Sequence, residues 1–304
     1  MITVRVPASS ANLGPGFDCM GLALTIYNYF DVKEYDGLFI EGVDDAYKGE
    51  DNLFYKAFQK GIAYRLLKSG KQATAPYGIH IRIRIGVPMS RGLGSSANCI
   101  IGGLAAANEL YPSIPYHMTE AELFYLGNEM EGHPDNIAPA LFGGFTSSMI
   151  LPNNQPVKMI TPVSPKWYFA ALVPDVEVPT KEARKALPDT LHRTEAALNV
   201  SHALFIQHGI KTADPAILKA AGVDYIHEPY RKKLIPDYET VKELAAKAGC
   251  EAFFISGSGS TCLALSLDPQ FATRLQSTLV LANLTANWEV YSCEPDISGV
   301  TILR

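Results

Sequence analysis

Covalent staples are scarce in this 304-residue chain: its five cysteines (Cys19, Cys99, Cys250, Cys262, Cys293) are odd in number, widely spread and never in a CxxC pair. That excludes a zinc ribbon or a disulfide framework and fits reduced thiols. No apolar run approaches the ~20 residues of a membrane helix. The start, Met1 to Pro7, has no apolar core behind a basic region, so no signal peptide is expected. A basic excess is also missing: 26 Lys and Arg stand against 31 Asp and Glu, a net charge of -5. The bulk field that favours nucleic acid is therefore absent, and any phosphate must be held by local geometry. Repeats and low-complexity tracts are absent. What remains is an ordinary globular composition, 47% hydrophobic and 19% charged. Such a chain can bury roughly three quarters of its unfolded surface without staples. A soluble, cytoplasmic protein with no membrane or nucleic-acid partner is expected.

Val4 and Val6 read as a first strand running into a small-residue loop from Pro7 to Gly16. Strand pieces flank the turn pair Asp36-Gly37. Asp51 is expected to cap a helix whose Phe54, Phe58, Ile62 and Leu66 recur every four residues, closed by Gly70. Ile79, Ile81, Ile83, Ile85 and Val87 alternate with polar residues or glycine, the period of a half-buried strand. A helix opens near Ser95. Thr119 with Glu122 forms a capping box for another, and Gly132 and Pro134 read as its stop. Four prolines between 152 and 165 suggest a boundary, so the expected domains are 1–155 and 156–304. The second half reads as strands near 167–173, 252–256, 261–267 and 287–293, with helices between, an α+β pattern.

The most informative segment is Pro88-Met89-Ser90-Arg91-Gly92-Leu93-Gly94-Ser95-Ser96-Ala97. A strand feeds a two-glycine loop, and two serines then open an apolar helix. Gly92 and Gly94 lack a Cβ, so a ligand can approach the backbone. A helix start leaves about four N–H groups unpaired and favours an anion. Together these make a phosphate cradle. Taken alone, the loop is equally consistent with an ordinary glycine turn before a capped helix. A dinucleotide fingerprint fits poorly, because the strand alternates and no acid follows a second strand ~20 residues on. Walker A is absent, since Gly70-Lys71 is followed by Gln72.

Three further segments keep it company: Pro7-Ala8-Ser9-Ser10-Ala11-Asn12-Leu13-Gly14-Pro15-Gly16-Phe17-Asp18, Glu131-Gly132-His133-Pro134-Asp135-Asn136, and Ser256-Gly257-Ser258-Gly259-Ser260. The early segment, the 88–97 loop and the late glycine-rich link resemble, in order, the three motifs of the GHMP small-molecule kinases. The resemblance spans nearly the whole chain. It implies a two-domain α+β fold, the first unit similar to domain 2 of ribosomal protein S5 and the second ferredoxin-like, with ATP at their junction. Pro88, Met89, Ser90, Arg91, Gly92, Leu93, Gly94, Ser95, Ser96, Ala97 and Asn98 would wrap the phosphates, and Asn52 and Leu53 would belong to the adenine pocket. Ser96 would contact Mg²⁺ with Glu131, Glu129 being the alternative. The implied substrates are ATP and L-homoserine, in threonine biosynthesis, and the implied assembly is a homodimer.

Homoserine carries an ammonium, a carboxylate and a hydroxyl. Asn12, Asp18, His133, Asp135 and Asn136 would face it, with Thr180, Arg184 and Arg231 opposite and Gly257 offering a backbone amide. Asp18 and Asp135 can hold an ammonium, and Arg184 and Arg231 can grip a carboxylate through paired donors. Asn136 can orient the hydroxyl. Asp135 is read as a substrate binder in preference to a base. The competing expectations are a sister kinase acting on a mevalonate- or sugar-like alcohol, and a non-catalytic ligand sensor on the same fold.

Overall fold

The structure, a computed structural model, describes residues 1–72 and 76–304. In chain order its strands are Ile2–Ala11 (β1), Met20–Glu34 (β2), Leu38–Glu41 (β3), Ile79–Arg84 (β4), Phe145–Ile150 (β5), Pro156–Thr161 (β6), Tyr168–Pro174 (β7), Ala252–Ile255 (β8), Cys262–Ser266 (β9), Trp288–Cys293 (β10) and Thr301–Leu303 (β11). The larger sheet runs β11-β1-β2-β4-β3, with β5 pairing β2 and β6 pairing β5. The smaller is antiparallel in the order β10-β7-β9-β8, which is 4-1-3-2 in chain order, the ferredoxin-like arrangement.

β1 continues through Pro7 to Ala11, where a loop was expected, because Ala8 to Ala11 pair with Leu24 to Gly21. The register shifts between Pro7 and Ala8, where the proline has no N–H to give the ladder. The turn proper is therefore short, from Asn12 to Asp18. β5 and β6 form a hairpin on the larger sheet, so the division expected at 155/156 falls between Gln155 and the first residue of β6. The chain crosses to the smaller sheet only after Thr161, and β11 returns to pair β1.

The helices are Leu53–Lys68 (α1), Ser95–Glu109 (α2), Glu120–Glu131 (α3), Pro134–Phe142 (α4), Thr180–Lys185 (α5), Arg193–Thr212 (α6), Pro215–Ala221 (α7), Glu228–Arg231 (α8), Tyr238–Lys247 (α9) and Phe271–Leu281 (α10). The four-residue stripe Phe54, Phe58, Ile62, Leu66 is buried in one cluster with Ile79, Ile81 and Ile83 of β4 and Ile100, Ile101 and Leu104 of α2. Each such side chain contributes about 1.5–3 kcal/mol by leaving water. The Thr119–Glu122 capping box forms, and Gly132 ends α3 in the left-handed region at φ 90. Pro134 does more than stop α3. It opens α4 as its first residue, where a missing N–H costs nothing.

A second cluster lies between the two sheets and joins Leu22, Leu24 and Phe145 to Trp167, Phe169, Ile206 and Leu263. The sheets thus share a hydrophobic seam. At one end of that seam the 12–18 turn, the 88–94 loop and the 256–260 link come together around a cleft.

Candidate active site

The cleft has a volume of about 360 Å³ and takes its lining from both sheets. Gly94 sits at the N-cap of α2 with φ 68 and offers no side-chain cap. The amides of Gly92, Gly94, Ser95 and Ser96 donate to no acceptor among the described residues. They are the unpaired donors that an oxyanion can take, at the positive end of a 15-residue helix.

The two glycines are required by the protein's own packing. A Cβ on Gly92 would stand 2.2 Å from the Ser256 carbonyl oxygen, and one on Gly94 would stand 2.0 Å from Ser9 Oγ. The close approach expected of a ligand is thus made first by protein atoms. Ser256 Oγ donates to the Gly92 carbonyl at 2.6 Å, and the Thr261 amide donates to the Arg91 carbonyl at 3.1 Å. The late glycine-rich link and the residue after it therefore brace the 88–94 loop from behind.

At the rim, Ser96 Oγ donates to Glu131 Oε2 at 2.5 Å. Partial burial pushes the Glu131 carboxyl above its ordinary value, with the Ser96 hydrogen bond working against the shift. Glu129 lies outside the cleft lining and pairs with Lys60 at 2.9 Å, which leaves Glu131 as the carboxylate beside Ser96. Both are hard oxygen donors.

The other end holds opposed charges. Asp18 adopts φ 52, and its amide donates to Asn12 Oδ1 at 3.0 Å. Arg184 grips Asp18 through both oxygens, at 2.8 and 3.0 Å. Arg231 is 2% exposed, and its Nη1 donates to the Gly257 carbonyl at 2.9 Å. Its Nη2 has no partner among the described residues. Burial lowers the Arg231 guanidinium to about 10, which leaves it charged at neutral pH. His133 Nδ1 donates to Asp135 Oδ1 at 2.5 Å. Burial disfavours the charged ring, but the bond and charge of Asp135 carry its pKa upward. Asn136 accepts from Ser9 Oγ at 2.8 Å.

Of the residues expected at the site, Asn12, Asp18, Asn52, Leu53, Met89, Ser90, Gly92, Gly94, Ser95, Ser96, Glu131, His133, Asp135, Asn136, Thr180, Arg184, Arg231 and Gly257 line the cleft. Pro88, Arg91, Leu93, Ala97 and Asn98 do not. Arg91 turns away to the Pro174 carbonyl at 3.0 Å, and Leu93 and Ala97 are buried in the two cores. Asn98 donates to the carbonyls of Val6 and Pro7, tying α2 to β1. Gly257 departs from expectation too, because its N–H donates to the Ala11 carbonyl at 3.0 Å and is not free for a ligand. Asn52, not Asp51, caps α1, accepting from the Tyr55 amide at 3.2 Å. Asp51 points outward to Lys56.

The sequence reading missed the apolar end, made by Val43, Tyr47, Ile83, Ile85 and Cys99 beside Leu53. The sequence offers one signal, the apolar alternation running on to Ile85 past the last β4 residue, Arg84; the structure leaves Ile85 44% exposed at that strand end.

A helix N-terminus bare of acceptors, an oxygen-donor pair at its rim and a pocket of opposed charges define a small-molecule kinase. The comparisons agree. Residues 52–144 match the GHMP kinases N terminal domain and residues 202–283 the GHMP kinases C terminal domain. The homoserine kinase of Caldicellulosiruptor bescii is 38% identical over 99% of this chain and 97% of its own. That of Clostridium botulinum is 38% identical over 99% and 98%. The solved homoserine kinase of Cytophaga hutchinsonii superposes with a TM-score of 0.82 at 26% identity, covering 99% of this chain and 97% of that one. A Methanococcus jannaschii mevalonate kinase, at 14% identity and a TM-score of 0.68 over 96% and 98%, shares the fold. The chain belongs to the GHMP kinase family.

Proposed function

We propose that the chain transfers the γ-phosphoryl group of ATP to the side-chain hydroxyl of L-homoserine, giving O-phospho-L-homoserine and ADP, in threonine biosynthesis. The observation that carries this reading is the meeting, in one cleft, of the bare amides at Gly92–Ser96 with a zwitterion's complement at Asp18, Asp135, Arg184 and Arg231. The full-length relatives named for that activity support it.

The triphosphate takes the loop and helix amides, and the base takes the apolar end around Leu53, Tyr47 and Ile83. Ser96 Oγ and the Glu131 carboxylate are the oxygen donors that suit Mg²⁺. When bound, the cation supplies positive charge against the phosphoryl oxygens. Arg184 and Arg231 take the substrate carboxylate, and Asp18 and Asp135 take its ammonium. Asn136 orients the hydroxyl, its own amide held by Ser9. Phosphoryl transfer asks mainly for position and charge neutralisation, so a strong base is not required. Asp135 acts as a substrate binder, already engaged by His133.

Asp18, His133 and Asp135 each bring a ligand atom within 4.8 Å of the others. With Asp18 chelated by Arg184 and His133 donating to Asp135, this trio fits an ammonium pocket better than a metal centre. No helix among the described residues is long and apolar enough to cross a membrane, and a cytoplasmic enzyme is the reading adopted. A homodimer is part of it, supported by exposed apolar side chains on β6 and α6, among them Met159, Ile160, Leu204 and Phe205.

The test is ADP release with ATP and Mg²⁺ over a panel of L-homoserine, mevalonate and sugars. Turnover of homoserine is expected. Turnover confined to an alcohol without an ammonium would overturn the substrate assignment.

A further inference from the structure

Phe17 belongs to the early motif, but its ring does not line the cleft and none of the roles above uses it. Its surroundings are unusual for a half-buried phenylalanine. The Arg231 guanidinium carbon lies 5.2 Å from the ring centroid, and that of Arg184 lies 5.8 Å away. His227 stacks on the same ring at 5.4 Å with an interplanar angle of 29°. His227 is fully buried, and its Nε2–H donates to the Gly14 carbonyl at 2.9 Å, so the ring stack also pins the turn that carries Phe17. Burial drives the His227 ring down to about 4, so it stands neutral beside the two cations.

Two guanidiniums aimed at one substrate carboxylate repel each other, and among the described residues only Arg184 of the two has a carboxylate to hold it. A carboxylate at position 17 would hold both but would neutralise them. A benzene face attracts cations through its quadrupole, takes none of their hydrogen-bond donors and adds no charge. We infer that Phe17 is a positioning residue for the substrate carboxylate, holding Arg184 and Arg231 over its ring without occupying a donor, so that Arg231 Nη2 stays open to the ligand and the Asp18-bound Arg184 stands beside it. Position 17 thereby helps select acids over the corresponding uncharged alcohols. This rests on the proposed reaction and deepens it.

The experiment compares Phe17→Leu, which keeps bulk and loses the quadrupole, with Phe17→Tyr, which keeps both. Each is assayed with L-homoserine and with its methyl ester, whose carboxylate is masked, and its thermal midpoint is recorded. Phe17→Leu should raise the homoserine KM roughly tenfold, the size of two partly desolvated cation–π contacts. The ATP KM should stay unchanged, kcat/KM for the ester should stay within about twofold, and Phe17→Tyr should restore the wild-type constants. An unchanged homoserine KM, an equal loss on the ester or on ATP, or a Phe17→Tyr enzyme as impaired as Phe17→Leu overturns the inference. Failure of the wild type to turn over homoserine at all is a separate result: it removes the proposed function first and this inference with it.

Discussion

Two regions of the molecule bury charge in opposite ways. Behind the larger sheet, where α1 meets the end of α2 and the loop after it, Arg65 is fully buried and donates to the carbonyls of Tyr116, Ala107, Leu110, Tyr111 and Ile114. Nearby, Glu122 accepts from the hydroxyls of Tyr64, Tyr116 and Thr119 and from the Thr119 amide. Burial works against its charge, but these donors hold its carboxyl down at about 2. In the cleft, Arg231 is nearly as buried but keeps Nη2 without a partner among the described residues, and Glu131 has a single hydroxyl and a raised pKa. Burial alone therefore does not mark function. A buried charge whose donors are all occupied holds structure together, and one left short of partners beside a cavity awaits a ligand.

Arg65→Ala should have the largest effect, about 4 kcal/mol of stability, since it strands several buried carbonyls. Urea denaturation reads this, and kcat per folded molecule should not change. A loss below 1 kcal/mol would erase the contrast. Arg231→Ala should instead leave the unfolding midpoint close to wild type and raise the homoserine KM about 100-fold, close to 2.7 kcal/mol, with the ATP KM little moved. Equal rises in both constants would remove its carboxylate role. Glu122→Gln should cost about 1 kcal/mol at pH 7, the worth of a capping box. Its folded pKa lies below the ordinary 4.5, at about 2. The unfolded chain therefore binds the proton first as pH falls, so the contribution is full above about 4.5 and is lost as pH drops through about 2. Denaturation of both proteins across that window checks the sign.

The short motifs made much of the cleft legible, because each needs its residues close together in the chain. Asn12 and Asp18, then Met89, Ser90, Gly92 and Gly94 to Ser96 of the 88–97 loop, and Glu131, His133, Asp135 and Asn136 all line one cleft, while Pro88, Arg91, Leu93 and Ala97 do not. Arg184 and Arg231 were found only through resemblance, since no local pattern surrounds them. The hairpin β5–β6 was hidden behind prolines that mark its turn and edges. Arg65 drew no notice, because its acceptors are carbonyls of a helix end and loop some 42 to 51 residues on. The glycines were read for a ligand's approach, but contacts with Ser9 and Ser256 account for them first.

The amino-acid order alone determined that a helix begins near Gly94–Ser96 behind a two-glycine loop, because glycine conformation and the orphan amides of a first turn are local properties. Which charges remain unpaired was decided only in three dimensions. The partners of Arg231, Gly257 and Glu131 lie on other elements, and hydrogen-bond satisfaction depends on who arrives beside whom once the two sheets have closed on their shared seam.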